Sequence, residues 1–382
     1  MKTCSKIISF LASAAVLTSS AVSCGKTEEK AAPSGDIHSA YAPDLTELPR
    51  GGYEVTDIGF LSDIENIKDI SPLNDNRFLI ISDTSEYGDA ASQRLYIADD
   101  TSSTVKEITP ELDLGATSYY SAMGTKDGRI FIAAVEPEYS WGKDPGHDVE
   151  ENLPQDHLDF LFSHAKDVEY KLFEVDQNGK AVSENELDIR YDPDEPITWL
   201  KCDDYFNDNI VLSATNVDDG ERNTAYYVVD KKGKTVGQLE NHIPYYGPTV
   251  KRTASDGRMC FVGIDYDSEE PRNIIYLYDK NSTSSSETIS VRLDDLGHEN
   301  SSSVLCAGAM GHGSDLLYCS SCVGVFAVGK DGKYENVIDY ADLSLDPTDI
   351  FSLIVLDNDT VYVLAEENFE TQKPVLYRLK KA

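Results

Sequence analysis

The acidic and histidine-rich stretches of this sequence are the first places where chemistry would be expected. His157 and His164 stand seven residues apart, whereas two metal ligands on one helical turn need a spacing of three or four. The acids in 192–195 and 265–269 alternate with other residues, but neither stretch has the glycine and closing glutamate of a calcium-binding loop. We therefore interpret these residues as solvated surface and predict no cofactor, with Ca²⁺ as the alternative that stays open.

The cysteines do not suggest a disulfide framework or a nucleophile. Cys4 and Cys24 lie in the N-terminal segment, and the odd number that remains leaves at least one free thiol. Cys306 and Cys319 flank a predicted hairpin centred near His312, and Cys319 and Cys322 form a C-x-x-C motif without thioredoxin-like surroundings. We expect buried thiols or one incidental disulfide, and we predict no catalytic residue.

Aromatic side chains are the best candidates for a binding site. Trp and Tyr beside carboxylates stack on sugar rings or hold a cation over their π faces. We predict this role for residues near the starts of inner strands and in a long insertion: Tyr119, Trp141, Trp199, Tyr245 and Tyr246. The alternative is that these rings fill the space between neighbouring sheets.

The formal net charge of −35 restricts the class of partner. Such a charge repels phosphate backbones, so we predict no nucleic-acid binding. It suits divalent cations, cationic peptides and basic protein surfaces.

A repeated β-structure must position these residues. A motif of an apolar residue followed by an aromatic one recurs, with its aromatic residues at Tyr96, Phe173, Tyr227, Tyr276, Phe326 and Tyr377. An apolar strand ending in a small residue precedes each copy, and the turns carry Asp, Asn and Gly, which tolerate the backbone of tight hairpins. Four strands in each stretch of about 50 residues predict a β-propeller. A flat β-sandwich, the rival fold, does not explain the repeat.

The two ends of the chain predict how the ring closes. The last repeat has strands near 350–356, 361–365 and 375–379 but lacks a fourth, whereas 53–60 alternates like a strand and has no repeat of its own. Pairing the two leaves no open sheet edge between the first and last blades. We therefore predict an all-β, six-bladed β-propeller of four-stranded blades over 51–382, closed by 53–60 completing the last blade.

The connections between strands alternate between two edges of each blade. We call the edge that joins strands two and three the upper edge, and the edge that joins strands one and two the lower edge. Acids collect in the upper connections and lysines in the lower ones. The second blade carries an insertion at about 136–169, with a short predicted helix from Pro154 to Lys166, and so long an insertion in a compact repeat favours a functional role.

The N-terminus has the layout of a secretory signal. Residues 1–23 combine a basic start, an apolar stretch and small residues directly before Cys24. This resembles the bacterial lipoprotein signal, which implies cleavage before Cys24, attachment of fatty acyl chains such as palmitate to that cysteine, and a lipid anchor in the cell membrane with the domain on the extracellular side. The alternative is an ordinary signal peptide. The polar residues 24–50 are predicted to be a flexible tether.

Through the Cys24 signal and the strand repeats, the whole chain resembles surface lipoproteins of Gram-positive bacteria and the propeller modules of some solute-binding lipoproteins. The resemblance carries no functional motif, and our first hypothesis, from the residues themselves, is a membrane-anchored binding module that presents an acidic, aromatic upper face to a carbohydrate, peptide or protein partner. The predicted fold is also similar to that of calcium-dependent lactonases, which implies the alternative of a metal-dependent hydrolase with Glu65, Asn300 and Asp349 as candidate channel ligands. A purely structural spacer is the third hypothesis.

Overall fold

The computed structural model describes part of the chain. The described residues are 37–39, 52–61, 64–74, 76–83, 93–114, 118–139, 165–189, 197, 199–206, 208–218, 221–239, 249–253, 259–265, 272–278, 285–292, 310–312, 317–320, 324–328, 334–339, 347–357, 360–367 and 373–382. All secondary structure in these ranges is β-strand except one turn of 3-10 helix at Gly59–Leu61. No helix in them is long and apolar enough to span a membrane.

Two strands precede the repeats, β1 (Ile37–Ser39) and β2 (Tyr53–Asp57). The first three repeats form three four-stranded sheets in chain order. The first sheet is β3 (Ile67–Pro72), β4 (Arg77–Asp83), β5 (Gln93–Asp99) and β6 (Thr104–Glu107). The second is β7 (Tyr119–Gly124), β8 (Ile130–Tyr139), β9 (Ala165–Val175) and β10 (Ala181–Glu186). The third is β11 (Trp199–Phe206), β12 (Asn209–Asp218), β13 (Glu221–Val229) and β14 (Thr235–Leu239).

The later repeats form three more sheets. The fourth sheet is β15 (Thr249–Thr253), β16 (Met259–Asp265), β17 (Arg272–Tyr278) and β18 (Ser285–Arg292), with β1 added in parallel beside β18. The fifth is β19 (Met310–His312), β20 (Leu317–Ser320), β21 (Gly324–Val328) and β22 (Tyr334–Asp339). The sixth is β23 (Pro347–Asp357), β24 (Thr360–Glu367) and β25 (Lys373–Lys381), followed by β2 on the outside.

The burial of the first sheet shows how it is packed. Its second strand, β4, is buried at every position after Arg77, whereas its outer strand β6 is exposed or half-buried throughout. A strand buried on both faces requires a neighbour on each side of its sheet. Consecutive sheets that are packed face to face and become more exposed outward define an all-β propeller, as the sequence predicts.

Side-chain packing is described for most of the first, second, third and sixth sheets. One apolar cluster joins the first two sheets around Leu79, Leu95 and Ile132. A second joins the second and third sheets around Phe131, Leu172 and Leu212. The strands divide into two compact units: β3–β14 with Pro374–Leu376 form one, and the other strands form the second.

The lower turns between third and fourth strands explain the recurring aspartate of the repeat motif. The Asp176 carboxylate accepts hydrogen bonds from the amides of Asn178 and Lys180 at 2.8 and 3.0 Å. Asp230 accepts equivalent bonds from Lys232 and Lys234 at 2.8 and 3.0 Å. The aspartate therefore ends one strand and closes the turn that begins the next.

The sixth sheet contains the predicted pairing of the two chain ends. The amide of Ile58 donates to the carbonyl of Leu376 at 2.9 Å, and the amide of Ala382 donates to the carbonyl of Gly52 at 2.6 Å. These bonds confirm that the N-terminal strand lies beside the last one, antiparallel to it. The strand is shorter than predicted: it ends at Asp57, and the chain turns into the 3-10 helix.

Two local predictions were wrong. The predicted helix to Lys166 cannot include its last two residues, because β9 begins at Ala165 and pairs with β8. Cys319 faces Met310 across the β19–β20 pair rather than Cys306, because the hairpin turns after His312 and not at it. Residues 136–139 and 165–169, the two ends of the predicted insertion, extend β8 and β9 as a paired ribbon, and residues 140–164 lie outside the described part.

Candidate functional site at the upper edge of the first three sheets

An exposed indole marks the upper end of the inner strand of the third sheet. Trp199 is the first residue of β11 and keeps 43% of its surface exposed, although it neighbours the fully packed Leu200. Alternate residues of a strand share a side, so Lys201 follows Trp199 on the side opposite Leu200 and Cys202. An exposed indole at a strand start provides a flat apolar surface on which a sugar ring can stack.

An ion pair connects the inner strands of the first and third sheets. Lys201 Nζ lies 3.4 Å from Asp69 Oδ2, with about a third of each side chain exposed. The other oxygen of Asp69 accepts a hydrogen bond from the amide of Ile70 at 2.8 Å, which fixes the orientation of the carboxylate. A pair with this exposure contributes at most about 1 kcal/mol to stability, so it can exchange partners with the hydroxyl groups of a ligand at little cost.

Cys202, the next residue of β11, is not a chemical group of this site. Burial raises the pKa of its thiol to about 12, so the thiol stays protonated near neutral pH. Its amide donates to Ser121 Oγ at 2.7 Å, which ties β11 to β7. The residue therefore acts as a small packed side chain that positions Trp199 and Lys201.

Polar side chains are also buried between the first and second sheets, close to their upper edge. Asp83 and Gln93 face each other across β4 and β5, and they share a side with the apolar residues that contact the second sheet. Ser118 and Glu136 take the equivalent positions on the second sheet. By residue count, each of the four stands six positions from a residue at the lower end of its strand: Arg77 for Asp83, Asp99 for Gln93, Gly124 for Ser118 and Ile130 for Glu136.

Glu136 is held by a cation from the neighbouring strand. Its carboxylate lies 2.6 Å from Lys171 Nζ and its side chain is only 2% exposed. Partial burial by itself would lower the pKa of Lys171, but the hydrogen bonds and charges of Glu136 and Glu169 together outweigh it and raise the pKa above its ordinary value. Glu169 and Glu184 approach the same ammonium group at 3.4 and 3.6 Å. Three carboxylates therefore surround one ammonium group, and the charge around Lys171 is negative in sum.

Three buried oxygen atoms of the first two sheets have no hydrogen-bond partner in the described structure. They are Gln93 Oε1, Ser118 Oγ and the hydroxyl oxygen of Tyr120. Burial raises the pKa of Tyr120 well above its ordinary value, the positive charge of Arg94 opposes this shift, and the negative charge of Asp83 adds to it. Leaving a buried polar group without a partner costs about 1–3 kcal/mol, so three of them together need an explanation.

The sequence-predicted binding residues are distributed unevenly over the described structure. Trp199 is exposed at the upper end of an inner strand, as the aromatic hypothesis requires. Tyr119 begins β7, but its side chain is not described, and Trp141, Tyr245, Tyr246 and Cys24 lie outside the described residues. Tyr120, which follows Tyr119 on β7, packs between the first and second sheets.

The structure also describes the predicted channel ligands only in part. Glu65 is exposed just before β3, Asp349 lies on β23 without a described side chain, and Asn300 lies outside the described residues. Within the described part of the chain, no group of three or more His, Cys, Asp or Glu side chains is placed to hold a metal ion.

Sequence reasoning missed Asp83, Gln93, Ser118 and Glu136. A signal for the two acids was present, because each follows a buried strand at the position where the alternation still points between the sheets. The prediction ended those strands one or two residues early, at their small residues.

No family model matches the chain, and no curated protein matches it. Solved structures similar to it include a protein described as a candidate gluconolactonase (10% identity, 90% of this chain and 97% of the other, TM-score 0.46). A protein of unknown function from Dyadobacter fermentans shares 12% identity over 83% of this chain and 95% of the other, with a TM-score of 0.46. The β-propeller domain of the Trilobed protease from Pyrococcus furiosus shares 15% identity over 83% and 79%, with a TM-score of 0.37. Similarity at this level assigns neither a ligand nor an activity.

Proposed function

We propose that this protein is a lipid-anchored, extracytoplasmic binding module whose six sheets are the blades of one propeller, and that the upper end of β11 binds a carbohydrate. The observation that carries the proposal is Trp199, a large aromatic side chain that stays exposed at the head of an inner strand. Tryptophan is enriched at interfaces, because its ring offers a large apolar surface together with one hydrogen-bond donor.

The surroundings of Trp199 favour a sugar over other partners. The Lys201–Asp69 pair supplies both a donor and an acceptor on the side of the strand where Trp199 lies. A ring that stacks on the indole would bring its hydroxyl groups within reach of these charged groups, and charged hydrogen bonds are roughly twice as strong as neutral ones. A peptide or a protein surface is the alternative, and the test below distinguishes it.

The anchor rests on the sequence around Cys24. Growth with a labelled fatty acid should label the wild-type protein and leave Cys24→Ala unlabelled. Equal labelling of the two proteins would contradict the anchor without affecting the carbohydrate site.

Binding is tested by probing the full chain on arrays of glycans and of peptides. The best glycan is then titrated into Trp199→Ala and into Val236→Ala, which truncates an exposed apolar side chain (54% exposed) on the outer strand of the same sheet. We expect Trp199→Ala to lose about tenfold or more in affinity and Val236→Ala to bind as the wild type does. Binding to peptides alone, or equal losses in both variants, would overturn the carbohydrate proposal.

A further inference from the structure

The backbone that leads into Trp199 is held by a side chain of the second sheet. Ile197 lies just before β11, is 5% exposed and packs into the apolar cluster between the second and third sheets. Its amide donates to the Tyr170 hydroxyl at 3.0 Å, and the same hydroxyl donates to the carbonyl of Ile197 at 3.2 Å. One phenol group therefore gives a partner to both backbone polar groups of a buried residue that lies outside the strands.

Tyr170 is itself fixed within the second sheet. It is 3% exposed and belongs to the same apolar cluster as Ile197. It pairs with Val135 on β8, and on its other side its carbonyl accepts a hydrogen bond from the amide of Leu187 at 2.8 Å. The hydroxyl of Tyr170 therefore reaches the third sheet from a strand that has a backbone neighbour on each side.

A second hydroxyl of the same sheet holds β11 beyond the indole. Ser121 Oγ on β7 accepts a hydrogen bond from the amide of Cys202 at 2.7 Å. Trp199 and Lys201 lie between the two bonded positions, Ile197 and Cys202. The pairing of β11 with β12 begins only at Trp199, so this ladder by itself does not fix the chain that precedes the indole.

We propose that Tyr170 is a positioning residue for the site at Trp199, because by holding Ile197 it sets the backbone from which the indole projects. A Trp side chain has only two rotatable bonds, so the ring follows any shift of its backbone closely. The third sheet then supplies the indole, and the second sheet sets its position. The inference rests on the proposed carbohydrate site for its role in binding, whereas the positioning itself is measurable without a ligand.

The test compares Tyr170→Phe with Tyr205→Phe, each in the full chain with Trp141→Phe, so that Trp199 is the remaining indole. Tyr205 is a matched control because it also contacts its neighbours through a hydrogen-bonded hydroxyl and lies on β11, but at the lower end of that strand. Each substitution removes one phenolic oxygen and keeps the ring. Circular dichroism establishes that both variants are folded.

The first measurement is made without ligand. Loss of the phenol releases the backbone of Ile197, so we expect Tyr170→Phe to lower the fluorescence anisotropy of Trp199 and to increase its quenching by acrylamide. Tyr205→Phe should leave both signals as they are in the parent protein. Signals that are unchanged in Tyr170→Phe, or that change equally in the two variants, would refute the positioning role.

The second measurement is a titration with the best glycan from the array. We expect Tyr170→Phe to lose about threefold to tenfold in affinity, and Tyr205→Phe to bind as the parent does. Parental affinity in Tyr170→Phe would show that Tyr170 has no part in the site. If the parent binds no glycan, the carbohydrate proposal fails, and the ligand-free signals still decide whether Tyr170 positions Trp199.

Discussion

The amide of Ile58 donates to the carbonyl of Leu376 at 2.9 Å, across more than 300 residues of sequence. Through this bond the segment that follows the N-terminal strand is held by the final strand, so the sixth sheet consists of both ends of the chain. The stability of the sheet therefore depends on contacts that neither end could make alone.

Removing the hydrogen-bond donor of Ile58 should lower the free energy of unfolding. Ile58→Pro deletes the donor and leaves a buried carbonyl without its partner, which costs about 1–3 kcal/mol. Ile58→Val keeps the amide and trims only one methylene, so it should cost about 0.5–1.5 kcal/mol. Thermal unfolding followed by circular dichroism compares the two, and identical melting temperatures would mean that the pairing contributes nothing.

The Glu136–Lys171 pair should be sensitive to the loss of one partner. Glu136→Gln leaves the Lys171 ammonium half-buried without its nearest carboxylate, and we expect a loss of about 1–3 kcal/mol. Glu184→Gln changes a carboxylate that is 53% exposed and 3.6 Å away, and it should stay within about 0.5 kcal/mol of the wild type.

A double variant separates the ion pair from the packing of its side chains. Glu136→Gln combined with Lys171→Met removes the uncompensated cation, and it should regain part of the stability lost in Glu136→Gln. Urea denaturation measures all three proteins. If the double variant were less stable than the single one by the full cost of Lys171→Met, the two residues would not be coupled.

The glycines of the lower turns should differ in their tolerance of a side chain. Gly179 and Gly233 have φ of +81° and +78°, and a Cβ on either would meet a backbone carbonyl, that of Ile108 or of Glu186. Gly128 has φ of +86°, but its Cβ would meet the side-chain amide of Asn74 at 2.9 Å, which can move. Alanine at Gly179 or Gly233 should therefore destabilise by more than the roughly 1–2 kcal/mol expected from the backbone conformation alone at Gly128.

Melting temperatures of the three alanine variants, measured side by side, test this order. Gly128→Ala as the most damaging of the three would contradict the close approach of the turns to neighbouring sheets.

Acid should unfold the protein partly through the lower turns. The amides of Ser102 and Thr101 bind the Asp99 carboxylate and lower its pKa below the ordinary value of 3.8. A lowered folded-state pKa gives stability that is present above about pH 4 and is lost as the pH falls through the folded-state value. Asp99→Asn keeps a side-chain acceptor for the turn but cannot titrate.

Melting temperatures between about pH 2.5 and 6 therefore test the carboxylate itself. The wild type should melt at a higher temperature than Asp99→Asn at about pH 6, and this difference should disappear as the pH falls below about 4. Parallel curves for the two proteins over the whole range would show that Asp99 is not linked to folding.

The sequence predicted the parts of the fold that depend on local pattern. An aspartate follows four of the six aromatic motifs. At Asp176 and Asp230 it marks the lower turn because it binds amides of the same turn. The pairing of 53–57 with the last strand followed from a missing strand at one end and a spare one at the other. The first inference uses residues that are contiguous in the chain, and the second uses only the number of strands at its two ends.

The buried polar side chains could not be predicted in the same way. Asp83, Ser118 and Glu136 are buried because the first and second sheets pack against each other, which is known only from the structure. In sequence they stand among many acids of a chain with 68 Asp and Glu residues. These residues differ from the solvated acids in being buried between sheets, and the sequence does not show which acids are buried.

The central claim, that Trp199 contacts a bound sugar, is tested most directly by its own fluorescence. The chain has two tryptophans, so Trp141→Phe leaves Trp199 as the only indole. Titrating the best array glycan into this variant should change the emission of Trp199 with the same midpoint that calorimetry gives. An emission spectrum that stays constant while calorimetry records binding would place the sugar away from Trp199 and contradict the account.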